Sequence, residues 1–401
     1  MDPQPSNERV VVIGAGPIGL EAALALAESG REFVLFEAGP DVGANVTSWG
    51  HVALFTPWSM NVSPRARRMC AAHGVELPAG GDCPTGDDLV REMLKPIARL
   101  PAIAPHVECG TRVLSVGREG QLKNTEIGTG VRSETPLRLL VEANGEERIE
   151  YATTVLDCTG TWDHPNALGA SGIPAPGERA AEGRIERGIP RLATGDALRE
   201  GWSGAHILLV GAGHSAQTAA GLLADFITEV PSSRVTWLMR NPNPAFESDP
   251  DDPLPARRAL VERAAALAAG GGPVHVRSGV AVEGLARSAD GLTVHLTGGE
   301  SLDVDAIVSL TGSVGDASLY RQLQVHECYA TSGPMKLAAA LLSGGSADCL
   351  EQEALGAETL KNPEPNFYIL GSKSYGRTNT FLLRVGWEQV DEVLTLLPVT
   401  S

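Results

Sequence analysis

Gly14-Ala15-Gly16-Pro17-Ile18-Gly19 and Gly211-Ala212-Gly213-His214-Ser215-Ala216 write the same pattern twice in this chain, and that duplication limits its fold more than any other feature. Each copy follows a short apolar run, Val10 to Ile13 in the first and Ala205 to Val210 in the second. Each opens an alanine- and leucine-rich stretch of helical character, Pro17 to Ser29 and His214 to Thr228. A second apolar run comes next, Glu32 to Phe36 and Arg234 to Met239. Strand, glycine turn, helix and strand in this order open a doubly wound parallel sheet. The expected fold class is α/β, with two Rossmann-like dinucleotide-binding domains. A chain of 401 residues is long enough to bury two such cores.

The glycines have separate tasks. Gly14 permits the tight turn after the strand, Gly16 lets backbone approach a pyrophosphate, and Gly19 lets the helix pack on the strand. Pro17 and Ile18 open that helix, whose N-terminus offers free N–H groups and partial positive charge to phosphate. Glu37 ends the second strand, where a carboxylate accepts hydrogen bonds from a ribose, and Ala38 follows it. In the second copy Gly211 and Gly213 repeat these tasks and Ala216 stands in for the third glycine, with His214 and Ser215 in the first helical turn. No acid ends the next strand there; it reads Val235 to Met239 and then Arg240. An acid would repel a ribose 2′-phosphate and an arginine pairs with one, so NADPH is expected over NADH.

The remaining pattern is mixed. Asp88 to Leu100 reads as a helix with Leu89, Met93, Leu94 and Ile97 on one face, and Leu254 to Ala269 as another. Strands are expected at Thr111 to Val116, Leu137 to Val141, Thr154 to Leu156, Val274 to Val276, Val280 to Leu285, Leu292 to Leu296, Ala306 to Leu310 and Phe367 to Leu370. A last helix is expected near Thr380 to Leu396. Residues 39–84 are rich in Gly, Pro, Trp and Asn with little periodicity, as functional loops often are.

Charge and cysteines narrow the partners. A formal net charge of -17 disfavours nucleic acid and anionic membrane surfaces. No apolar run reaches the roughly 18 residues that span a bilayer. Met1 to Arg9 carries no apolar core of a secretory signal. Cys70, Cys83, Cys109, Cys158, Cys328 and Cys349 form no C-x-x-C and no zinc-spaced cluster, so no metal is expected. These features point to a cytoplasmic protein with a small-molecule substrate and leave its oligomeric state open.

Two dinucleotide motifs in this order resemble the two-dinucleotide-binding flavoproteins, in which FAD occupies the first site and NADPH the second. Thr154 to Gly160 resembles the strand-end signature where such a chain leaves the FAD domain, with Thr159 and Gly160 at the cofactor. Asp305 to Gly312 resembles its second copy, with Thr311 and Gly312, and Asn366 to Gly371 resembles the late strand whose Gly371 lies beneath the flavin. The resemblance implies an FAD domain over 1–164 and 313–401, with an NADPH domain inserted over 165–312. It also implies cofactor contacts from Val113 and from Thr378, at the start of a last helix aimed at the flavin.

Within that group the chain is most similar to the class B flavin-containing monooxygenases. Val210 to Ala216 is close to their second glycine motif, and Gly43 with Trp49 resembles their glycine-tryptophan segment. Their F-x-G-x-x-x-H linker is absent, since no Phe occurs between Phe55 and Phe226. The resemblance implies FAD, NADPH and O2 as reactants, and oxygenation of a soft N or S nucleophile through a flavin C4a-peroxide. Trp49, His51, Phe55, Pro57, Trp58 and Asn61 are expected near the isoalloxazine, with Asn61 and Trp58 as catalytic candidates. Lys373, Tyr375, Arg377 and Asn379 flank the late strand and are candidates for flavin carbonyls or an anionic substrate. Two other readings stay open: a flavin reductase or oxidase without oxygen insertion, and a redox sensor without turnover.

Overall fold

A computed structural model describes residues 9–244, 246, 250–270, 272–288, 291–344, 350, 354–378 and 380–397. The readings made on Met1 to Glu8, Cys349 and Asn379 lie outside the described residues. The chain divides into two compact units, residues 1–164 with 314–401, and residues 165–313.

The first unit is built on a parallel sheet of five strands. Their order across the sheet is Phe367–Ile369, Thr154–Asp157, Val10–Ile13, Phe33–Glu37 and Val107–Cys109. Val10 pairs with Phe33 and with Thr154, so both neighbours run in register with the first strand. Parallel strands are covered on both faces, which is why these read as continuous Val, Leu and Phe rather than alternating patterns. Helices cover one face, led by Pro17–Glu28, whose Leu20, Leu24 and Leu26 are fully buried. Helix Leu383–Leu394 packs against it through Val385, Val390 and Val393. The other face is covered by an antiparallel sheet of Thr111–Arg118, Leu137–Ala143 and Glu146–Ala152. Its Val116, Leu139 and Val141 pack on Val11, Ile13, Val34 and Phe36.

The second unit repeats the plan. Its parallel sheet runs His275–Ser278, Arg234–Met239, His206–Val210, Ala306–Ser309 and Ile185–Glu186. Helix His214–Glu229 buries Ala219, Ala220, Leu223 and Phe226 against Ile207, Leu209 and Trp237. An antiparallel sheet of Val282–Arg287, Leu292–Leu296 and Ser301–Val304 covers the other face.

Two local features have clear causes. The expected helix at 88–100 runs from Gly86 to Ala98, opened by a capping box between Thr85 and Asp88, with a π turn at Val90–Leu94. Pro96 has no N–H to give the preceding turn, and a widened turn absorbs the missing bond. In the first unit, Glu364 lies between Arg118 and Arg132 at 2.7 Å from each, with all three side chains at most 1% exposed. It also accepts the Gln324 N–H at 2.8 Å, so one buried carboxylate joins four distant segments.

Candidate functional site

A cavity of about 510 Å³ opens in the first unit at the carboxyl ends of its parallel strands. Ligands of open α/β sheets bind at this edge. Gly14, Gly16, Pro17 and Ile18 line it where Val10–Ile13 ends, and Glu37 and Ala38 where Phe33–Glu37 ends. Gly43, Trp49, Val113, Thr159, Gly160, Gly371 and Lys373 complete the expected residues that line it. They come from six separate segments, which the sheet gathers at one edge.

The glycines divide between fold and ligand. Gly14 has φ of +97°, and a Cβ there would stand 2.9 Å from the Cys158 carbonyl oxygen. A Cβ on Gly19 would stand 1.8 Å from the Gly14 carbonyl oxygen, so Gly19 serves packing and does not line the cavity. At Gly16 a Cβ would meet nothing within 4 Å. That open space lies at the N-cap of Pro17–Glu28, where no side chain caps the helix. Free N–H groups, helix dipole and room for an anion thus coincide. Glu37 accepts from the Ala15 N–H at 2.7 Å and the Gly39 N–H at 2.8 Å, which fixes its carboxylate beside the glycine turn. These residues fit the pyrophosphate and ribose of a dinucleotide.

The far wall joins these residues with Trp162, which no motif announces. Trp49 and Trp162 stand with ring centroids 6.3 Å apart. Lys373 lines the cavity while its Nζ donates to Asp157 at 2.7 Å and to the Thr159 hydroxyl at 3.0 Å. Asp157 in turn accepts from the Thr159 N–H and hydroxyl, which holds the Thr159–Gly160 turn. The Gly371 N–H donates to Gln389 at 2.9 Å, and Gly371 has φ of +72°. Burial, and then the nearby Asp157, push the Cys158 thiol well above its ordinary pKa. The Cys158 sulfur is therefore held as a thiol at this edge, not as a thiolate nucleophile.

Several expected residues are placed elsewhere. Trp58 is core, 7% exposed, and the Asn61 amide is buried against its own turn, donating to the Thr56 carbonyl at 2.8 Å and accepting the Thr56 hydroxyl at 2.9 Å. Neither lines the cavity, nor do His51, Phe55 and Pro57. Thr378 does not start a helix: its N–H bonds Tyr375 in a turn, and the last helix begins at Leu383. A short 3₁₀ turn over Gly371–Tyr375 and the left-handed Gly376 delay that helix, so Phe381 and Leu383 reach the cavity instead. Tyr375 is buried in the core and Arg377 is exposed.

The second glycine turn, in the second unit, is built the same way. Gly211 has φ of +134° and a Cβ there would stand 2.2 Å from the Leu310 carbonyl oxygen. A Cβ on Gly213 would meet nothing within 4 Å, at the uncapped start of His214–Glu229. Trp237 donates its indole N–H to the Gly211 carbonyl at 2.7 Å, and Gln217 donates to the Ala212 carbonyl at 3.1 Å, which lock the turn. Ala216 is fully buried beneath it, whereas His214 and Ser215 are exposed at the helix start. Register places Leu238 beside Val210 as it places Phe36 beside Ile13, so Met239 corresponds to Glu37 and Arg240 to Ala38. Arg240 is exposed and has no ion pair among the described residues. Thr311 and Gly312 tie the unit's ends together: Thr311 donates its hydroxyl to the Asn166 carbonyl at 2.8 Å, and the Asn166 N–H donates to Gly312 at 2.8 Å.

Comparison with known proteins agrees with this architecture. Residues 9–126, which include the first glycine turn and Glu37, match the family described as FAD dependent oxidoreductase. Kynurenine 3-monooxygenase of Mycosarcoma maydis is 28% identical over 214 residues, 49% of this chain and 34% of that protein. The match thus spans about a third of that relative's length. Among solved structures, bacillithiol disulfide reductase from Bacillus cereus superposes with a TM-score of 0.70 at 18% identity, covering 97% of this chain and 98% of the other. Ornithine N-hydroxylase from Kutzneria sp. 744 gives 0.60 at 16% identity, again covering 97% and 98%. Flavin-containing monooxygenase from Stenotrophomonas maltophilia gives 0.59 at 19% identity with the same coverage. At these identities the likeness concerns fold. The chain carries an FAD-dependent oxidoreductase domain match over residues 9–126 on a fold of two dinucleotide-binding units.

Proposed function

We propose that this protein is an FAD-dependent oxidoreductase that takes electrons from NADPH and uses them to oxygenate a small N- or S-nucleophile. The observation that carries the reading is the repeated glycine turn: in both copies the middle glycine faces open space at an uncapped helix start. A single nucleotide site would suffice for a flavin sensor; two built to the same plan favour turnover with a soluble hydride donor. FAD, when bound, supplies the two-electron chemistry and the reaction with oxygen.

The chain's own residues bind, orient and shield. Gly16 and the N-terminus of Pro17–Glu28 hold the pyrophosphate, and Glu37 holds the adenosine ribose. Thr159, Gly160 and Gly371 shape the wall beside the flavin half, and Trp49 and Trp162 line the same cavity. Gly213 and Arg240 hold the NADPH pyrophosphate and 2′-phosphate. No cysteine pair has C-x-x-C spacing, so the cysteines of this chain carry no motif for a disulfide relay. Asn61 and Trp58 have no part in this reading, because their side chains are spent in the core.

The deciding experiment supplies labelled dioxygen and NADPH with panels of small amines and thioethers. Label in the product, with NADPH consumption matched to product, is the expected outcome. Peroxide equal to NADPH consumed with every substrate would replace the reading by an oxidase or reductase.

A further inference from the structure

The Lys373–Asp157 pair is left over when the glycine motifs have been accounted for. Lys373 runs past Gly315, where a Cβ would stand 2.4 Å from the lysine Cγ, so the side chain has been given a channel. Its Nζ reaches Asp157 at 2.7 Å and Thr159 at 3.0 Å, and stands 5.2 Å from the Tyr320 ring centroid. The two side chains are 2% and 0% exposed. Burying such a pair costs desolvation that well-packed apolar residues would avoid, so stability alone does not account for it. The pair is also lopsided: Lys373 lines the cavity and Asp157 lies behind it. Lys373 is the partner that borders the ligand space.

The sheet order says which half of the cofactor meets that charge. The pyrophosphate seat follows Val10–Ile13, in the middle of the sheet. Glu37, which takes the adenosine ribose, ends the strand on one side. The flavin half therefore extends to the other side, over the ends of Thr154–Asp157 and Phe367–Ile369, where Lys373 stands.

We propose that Lys373, held by Asp157, sets how readily the bound flavin accepts electrons. The inference rests on the FAD reading of the first site. A hydride from the nicotinamide donor brings two electrons and one proton, which adds one negative charge to the flavin and leaves the nicotinamide oxidised. A cation facing the flavin stabilises that added charge, and the carboxylate behind it partly cancels the effect. Lys373 and Asp157 thus pull the reduction equilibrium in opposite directions. A purely structural pair would not, since losing either partner would loosen the same turn.

The test is the midpoint potential of the FAD-loaded protein against reference dyes, with FAD content and melting temperature recorded on the same samples. Lys373→Met should make reduction about tenfold less favourable, a shift of roughly 30 mV downward for a two-electron couple. Asp157→Asn should shift it upward, and Lys373→Arg should stay near the parent value. Shifts of the same sign in Lys373→Met and Asp157→Asn overturn the proposal, as does an unmoved potential with FAD retained in Lys373→Met. Should Asp157→Asn lose FAD, the lysine series decides: Lys373→Arg displaced as far as Lys373→Met overturns it, and a parent-like Lys373→Arg supports it. A parent protein that binds no FAD overturns the underlying reading and is recognised from its spectrum before any variant is made.

Discussion

Replacing Gly16 with valine should empty the first site and leave the fold intact. Gly16 has φ of −79° and ψ of −171°, extended backbone that valine adopts readily. A Cβ there meets nothing within 4 Å, so the unliganded protein should change by no more than about 0.5 kcal/mol, as surface substitutions do. The cost falls on the ligand. The isopropyl group would occupy the space through which a pyrophosphate reaches the uncapped N–H groups of Pro17–Glu28. Two lost hydrogen bonds to a charged group, at about 1.5–3 kcal/mol each, sum to roughly 3–6 kcal/mol. That corresponds to about 10²- to 10⁴-fold in Kd for FAD. Titrating unliganded protein with FAD and following flavin fluorescence measures it, with thermal melts of the unliganded forms alongside. Gly19→Ala is the matched contrast: its Cβ would stand 1.8 Å from the Gly14 carbonyl oxygen, so it should destabilise the unliganded protein too. Parent-like FAD affinity in a folded Gly16→Val protein would refute the reasoning.

Other consequences can be checked separately. Arg240→Ala should raise KM for NADPH by about 10- to 150-fold, the equivalent of one charge-assisted contact worth roughly 1.5–3 kcal/mol, and leave KM for NADH nearly unchanged. Equal KM values for the two nucleotides in the parent protein would contradict that role. Glu364→Ala leaves Arg118 and Arg132 buried without their carboxylate, so it should cost about 3–5 kcal/mol in denaturant unfolding. A loss below about 1 kcal/mol would show that water or a rearranged loop satisfies the two arginines.

The legible part of this structure is the part written in local patterns. Strands Arg234–Met239 and Leu292–Leu296 match their sequence readings residue for residue, because turn residues bound each apolar run. Strand Glu146–Ala152 escapes notice because it is an edge strand with five charged or polar residues facing mostly outward, so no alternation marks it. The glycine turns are legible because a positive φ, a close-packed helix position and room for a ligand fall within six positions, each favouring glycine or a small residue. The far wall is only partly so: Lys373 is marked by its place after the late strand, but Trp162 and Asp316 come from separate loops and meet it only when the sheet brings their strand ends together. Asn61 and Trp58 illustrate the opposite failure. Residue types suited to chemistry stood in a suitably irregular segment, but Thr56 and the core claim them. The late start of the last helix turns on Gly376 and the 3₁₀ turn before it, a local backbone choice that helical periodicity does not report.

The most direct test of the account is the anaerobic addition of NADPH to the protein with its bound flavin. The visible flavin absorbance should bleach with equimolar NADPH, faster than with NADH, and return when oxygen is admitted. An FAD spectrum that neither nicotinamide bleaches would contradict it, because the second glycine turn would then have no part in reducing the flavin at the first.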